Sequence, residues 1–131
     1  MSITVLVIDD DHDVADVFAE YLKIKGMDIV GVVYDGQKGI ELYKKVHPDI
    51  VLTDVMMPTY DGYYVLQGIR ESDPNAKIIF VTASLSPDSI SQMKESSPSA
   101  IVNKPYRMDE LIKIIHRVKE GEIGIFPTND F

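Results

Sequence analysis

The sequence has no cysteine and no tryptophan in 131 residues, and its first 22 residues hold no lysine or arginine. Without cysteine there is no disulfide framework, no thiolate chemistry and no Cys-ligated zinc or iron–sulfur centre. No apolar run exceeds six residues, far short of the roughly 20 that a membrane-spanning helix needs. No signal peptide is expected, because Met1 and Ser2 lead straight into the first apolar run. Bases are the minority, 13 against 21 acids, for a formal charge of −8. Loose binding to nucleic acid or anionic membrane depends on clustered Lys and Arg, so both are disfavoured. The expectation is a soluble, cytoplasmic protein with no direct nucleic-acid contact and no membrane insertion.

What is present is ordinary globular material, 45% hydrophobic and 26% charged. The length suits one domain, since domains cluster near ~100–150 residues. Short Val- and Ile-rich runs alternate with amphipathic stretches: Ile3 to Ile8, Ile29 to Val33, Ile50 to Leu52, Ile78 to Val81, and Ala100 to Val102. These runs lack the polar–apolar alternation of a half-wet strand and read as parallel strands covered on both faces. Val14, Val17, Phe18, Tyr21 and Leu22 fall on one helical stripe, with Gly26 as its C-cap. Further helices are expected over Gln37 to Val46, Tyr63 to Glu71, and around Leu111, Ile114, Ile115 and Val118. The stretch Pro87 to Ser97 offers only Ile90 and Met93 as apolar anchors, which predicts a short, loosely packed helix. The whole is a (βα)₅ pattern with helices on both faces of the sheet. The tail from Gly121 to Phe131 reads as irregular, with Ile123, Ile125 and Phe126 able to dock on the body.

Charge is concentrated rather than spread. Asp9, Asp10, Asp11, Asp13, Asp16 and Glu20 all lie in the base-free opening segment, and the rest of the chain is nearly balanced. In an open parallel sheet, ligands bind beyond the carboxyl ends of the strands. The first run ends in Asp9-Asp10-Asp11, the third in Thr53-Asp54, the fourth in Thr82-Ala83-Ser84 and the fifth in Asn103-Lys104-Pro105. Two carboxylates ~4 Å apart repel by about 4 kcal/mol at an effective dielectric near 20. Three together must take up protons or attract a cation. Mg²⁺, a hard ion that accepts one or two carboxylates, waters and a phosphate, resolves that conflict. Lys104 supplies a point charge for an anionic group.

These residues resemble the receiver domains of two-component response regulators, in particular the chemotaxis-regulator-like single-domain members. The matching motifs are Val-Ile-Asp-Asp-Asp at the first strand end, Asp54-Val-Met-Met-Pro-Thr-Tyr-Asp-Gly62, Val-Thr-Ala at the fourth strand, and Lys104-Pro105-Tyr106. The resemblance implies a flavodoxin-like three-layer α/β sandwich with a five-stranded parallel sheet in the order 2-1-3-4-5. It implies a receiver domain over residues 1–120 and a tail over 121–131 with no output domain. It also implies Asp54 as phosphoacceptor, with Mg²⁺ on Asp10, Asp54 and the Met56 backbone carbonyl, and Asp9 acting mainly through water. Lys104 would pair first with Asp54 and then with a phosphoryl oxygen; Thr82 would turn its hydroxyl toward that group, with Ala83 leaving room. A cis Lys104–Pro105 peptide would aim the lysine. The implied partners are a sensor histidine kinase, then a downstream protein target or a histidine phosphotransfer domain, with dimer formation on activation open.

Other readings stand beside these. Asp11 and Asp13 suit the start of the first helix, and Asp61-Gly62 reads as a turn with Gly free to adopt positive φ. His12, His47 and His116 are isolated and read as surface residues. Met56-Met57 reads as packing, apart from the Met56 carbonyl, and Tyr60, Tyr63 and Tyr64 as either a partner surface or packing. Where many family members carry an aromatic three residues before the lysine, this chain has Ile101. The threonine–aromatic coupling that the resemblance implies is therefore not expected here, and a shift of the fourth helix is expected in its place. The main alternative is an Mg-dependent aspartate-nucleophile phosphohydrolase. That class places Asp-x-Asp on its first strand, whereas here the aspartates are adjacent and Asp54 lies on the third. A flavin carrier would need a phosphate-cradling first loop, and this one is all acid.

Overall fold

A computed structural model describes residues 2–83, 86–104 and 107–127. The five apolar runs form β1 (Thr4–Ile8), β2 (Asp28–Val33), β3 (Ile50–Asp54), β4 (Ile78–Thr82) and β5 (Ala100–Asn103). They alternate with α1 (His12–Ile24), α2 (Gly36–Val46), α3 (Gly62–Ser72), α4 (Pro87–Glu95) and α5 (Met108–Lys119). All neighbouring strands are parallel, in the order β2-β1-β3-β4-β5. Fold class and strand order are therefore as expected.

The period-two geometry of a strand divides the core into two halves. Val5, Val7, Leu52 and Ile79 point to one face, where Phe18 and Leu22 of α1 and Leu111, Ile115 and Val118 of α5 cover them. Leu6, Ile8, Val51, Ile78 and Phe80 point to the other, under Ile40 of α2, Val65 and Ile69 of α3, and Ile90 and Met93 of α4. Each fully buried side chain of this size contributes about 1.5–3 kcal/mol relative to exposure.

The α1 stripe differs from the sequence expectation. Its buried face is Ala15, Phe18, Ala19 and Leu22, while Val14, Val17 and Tyr21 face outward, Val17 at 69% exposure. Two alanines allow α1 to lie close to the sheet, and small residues carry little weight in a hydrophobic pattern. The helix end follows the expected chemistry. Gly26 takes φ +92, its N–H donates to the Lys23 carbonyl at 3.0 Å, and the Met27 N–H donates to Leu22 at 3.0 Å. That pair of bonds is a Schellman closure, with Met27 and Leu22 both buried.

Helix α4 is the short one, nine residues long with only Ile90 and Met93 buried. Its start is held by Ser86, whose side chain accepts from the Ser89 N–H at 3.2 Å.

Candidate functional site

Sheet register delivers the polar strand ends to one rim. Ile8 pairs with Thr53, Asp54 with Val81, and Thr82 with Asn103, so Asp9, Asp54, Thr82 and Lys104 emerge side by side. One carboxylate oxygen each from Asp9, Asp10 and Asp54 lies within 4.8 Å of the others. Asp9 is buried at 5% exposure; its N–H donates to the Val33 carbonyl at 3.1 Å, and its Oδ1 accepts from the Asp11 N–H at 3.0 Å. Asp10 is exposed and Asp54 is half-buried.

Lys104 reaches across the strand ends. Its Nζ is 3.4 Å from Asp9 Oδ2 and 3.8 Å from Asp54 Oδ2, so its nearer partner is Asp9, not Asp54 as expected from the resemblance. The backbone N–H of Lys104 donates to the Thr82 carbonyl at 2.7 Å, which ties the lysine to the buried end of β4. Burial raises the Asp54 carboxyl above its ordinary pKa, against Lys104, which pulls it down; Asp9 adds to the rise. The backbone N–H groups of Val55 and Met56 also donate to the Asp54 carboxylate and oppose the rise. These two amides carry no side-chain signature and were not anticipated. A tight turn after an acidic strand end is the available signal.

Gly62 bears on the same strand end. A Cβ there would lie 2.8 Å from Val55 Cα and 2.9 Å from the Asp54 carbonyl oxygen. The reading of Asp61-Gly62 as a positive-φ turn is therefore corrected: Asp61 caps α3 by accepting from the Tyr64 N–H at 2.9 Å, and Gly62 opens the helix. The positive φ sits at Thr59 instead, at 68°. Glycine is needed for approach, not for twist.

The surrounding residues divide as follows. Asp11 caps α1 through the Val14 N–H at 3.2 Å, with Asp13 in the first turn. His12 is exposed but stacks on Tyr34 with ring centroids 3.7 Å apart, and the Tyr34 hydroxyl donates to Asp16 at 2.7 Å. His47 and His116 are exposed as expected. Met57 is core, but Met56 is 72% exposed, so packing describes only one of the pair. Tyr63 meets Phe80 edge-on, whereas Tyr64 is exposed beside Tyr60. Ile101 is buried in the core half beneath α4. Ser84, Pro105 and Tyr106 lie outside the described residues, as does the proposed cis peptide.

The donor set is chemically coherent for a hard divalent ion. It offers carboxylate oxygens and no sulfur or paired imidazole, and the mutual repulsion of Asp9 and Asp54 is what a cation relieves. An open parallel α/β sheet with three acids and a lysine at its carboxyl rim defines a class of small domains that handle anionic groups there. Comparison then narrows the class. The profile of the response regulator receiver domain matches residues 5–116, and the chain belongs to that family.

Protein CcdB of Bacillus subtilis is 32% identical over 114 residues, covering 87% of this chain and 95% of CcdB. The probable C4-dicarboxylate response regulator DctR of the same organism is 30% identical over 117 residues. That match covers 88% of this chain and 52% of DctR, so the chain spans about half of that relative. A two-component response regulator of the LuxR family from Aurantimonas shares the fold, with a TM-score of 0.89 at 23% identity over 99% of this chain and 92% of that one. The family is one of two-component signalling domains rather than of conventional enzymes. Among the described residues, no helix is long and apolar enough to cross a membrane.

Proposed function

We propose that this domain accepts a phosphoryl group on Asp54 from a phosphohistidine of a sensor histidine kinase, and thereby switches its contacts with other proteins. The observation that carries the reading is the convergence of Asp9, Asp10 and Asp54 within 4.8 Å, with one ammonium against two of them. An Asp54 carboxylate oxygen attacks phosphorus, the new O–P bond forms as the N–P bond breaks, and the donor imidazole leaves. Asp10, Asp54 and the Met56 carbonyl would hold Mg²⁺, with Asp9 acting mainly through water, and the ion would supply charge that lowers the repulsion of the transfer. Lys104 neutralises charge on the transferred group, and the Val55 and Met56 amides offer hydrogen bonds beside it. Thr82 answers with its hydroxyl.

The face offered to the donor in this reading is the exposed apolar side of α1. There Val14, Val17, Tyr21 and Met108 flank a largely apolar groove of about 380 Å³ that also includes Asp13. A protein partner with an apolar helical face suits it. With Ile101 aliphatic and buried, the phosphoryl group acts on the thinly anchored α4, and the outcome is read by a downstream target or a histidine phosphotransfer domain. Residues 1–120 make up the receiver unit in this reading.

Incubation with a small phosphodonor and Mg²⁺ is expected to label the wild type once per chain, and Asp54→Asn not at all. Label that survives the substitution, or a wild type that stays unlabelled, removes the proposal. Turnover of many phosphate esters per chain would favour the hydrolase instead. Unchanged amide exchange across Pro87 to Ser97 on phosphorylation would remove the α4 mechanism alone.

A further inference from the structure

The segment after α5 turns back onto the sheet. Ile125 bridges Ala100 in parallel, the Ile101 N–H donates to the Ile125 carbonyl at 2.9 Å, and the Ile125 N–H donates to the Ser99 carbonyl at 3.3 Å. Phe126 packs against the core half that contains Ile101, and Lys94 of α4 lies 5.8 Å from its ring centre. The outer edge of β5 is thus closed by the chain itself.

The closure is slight beside the rest of the sheet. It has one bridge, whereas each pair of strands in the sheet is registered over four or five residue pairs. Gly121 precedes the segment and Gly124 lies within it, at φ +108 and +71, with open space where a Cβ would stand on either. Ile123, between the two glycines, is 79% exposed. Two glycine pivots and few contacts describe a segment that opens locally at low cost.

The edge underneath has a readable chemistry. Exposed strand edges pair with extended segments, and side-chain pockets select among them. Here Glu122 pairs with Arg117, and the adjoining cavity of about 560 Å³ includes Arg70, Lys77 and Lys94 in its wall. An occupant matched to this edge carries an acid ahead of two apolar residues, as the tail does with Glu122, Ile125 and Phe126.

We propose that residues 122–126 are a detachable edge strand, and that the β5 edge they cover docks an extended acidic–apolar segment of a protein partner when they lift. The inference does not depend on the chemistry of Asp54. Amide exchange on the full chain tests the first half. The Ile101 amide is expected to exchange at least tenfold faster than those of Leu52 and Ile79, and Phe126→Ala to accelerate it a further tenfold with Leu52 unchanged.

A synthetic peptide with the sequence of Glu120–Pro127 tests the second half. It is expected to shift the Ile101 and Asn103 amide resonances of Phe126→Ala and to leave the wild type unmoved. The same peptide with lysine for Glu122 is expected to bind at least threefold more weakly. Exchange of Ile101 in step with Leu52, or the same peptide response in both proteins, none included, overturns the proposal; equal binding of the two peptides overturns its acidic component. Ile125→Pro, which deletes the N–H donated to Ser99, serves if Phe126→Ala fails to fold.

Discussion

Asp54 carries its charge against resistance, and the resistance is measurable. Burial and the neighbouring Asp9 raise its carboxyl above the ordinary range despite Lys104. The folded state therefore holds the Asp54 proton to higher pH than the unfolded chain does. Ionisation then costs stability as pH rises through the unfolded and on to the folded pKa. Without divalent ions at neutral pH, Asp54→Asn should melt higher than the wild type. The two should converge on acidification below the ordinary carboxylate range, which thermal melts across pH will check. Gly62 offers the opposite case. A methyl group would meet the backbone of Val55 and Asp54 rather than a movable side chain. Gly62→Ala should cost about 1–3 kcal/mol in denaturant unfolding and lower the labelling rate, since the acceptor strand must shift to admit it. The carboxylates were legible in the sequence because their type and order are distinctive. The Val55 and Met56 amides were not, because every residue has an amide and only the turn aims it.

At the scale of elements, pattern and packing agree for the strands and part company on one helix. Val and Ile runs leave little choice of structure when both faces are covered. On α1 the apolar stripe of Val14, Val17, Phe18, Tyr21 and Leu22 predicted the buried face. Phe18 and Leu22 are buried as expected, but Ala15 and Ala19 join them there while Val14, Val17 and Tyr21 face outward. Hydrophobicity alone does not separate a face that packs on the core from one left for a partner. The thinness of α4 was visible beforehand in its serines, and those serines also hold its start. Ser86→Ala removes the acceptor for the Ser89 N–H and should cost about 1 kcal/mol. The loss should appear as faster amide exchange within α4 only, with β3 unaffected. A uniform increase would mean that α4 opens with the whole domain.

The whole molecule couples this rim to its stability. A ligand that binds only the folded chain stabilises it by about 2.7 kcal/mol at a hundred times its dissociation constant. Titration with Mg²⁺ should raise the melting temperature of the wild type, and Asp10→Asn should lose most of that rise while still folding. The layer count followed from the strand–helix alternation and the strand order from the family resemblance. Of the three tail residues expected to dock, only Ile125 and Phe126 do so, and Ile123 stays exposed. Lys104 has one further consequence. By resting 3.4 Å from Asp9, it supplies the acid rim with a positive charge of its own. With that charge in place the chain is expected to fold in a solution stripped of divalent ions, which circular dichroism in the presence of a chelator will check. Under the proposed function, metal supply would then govern when the domain responds, and not whether it exists.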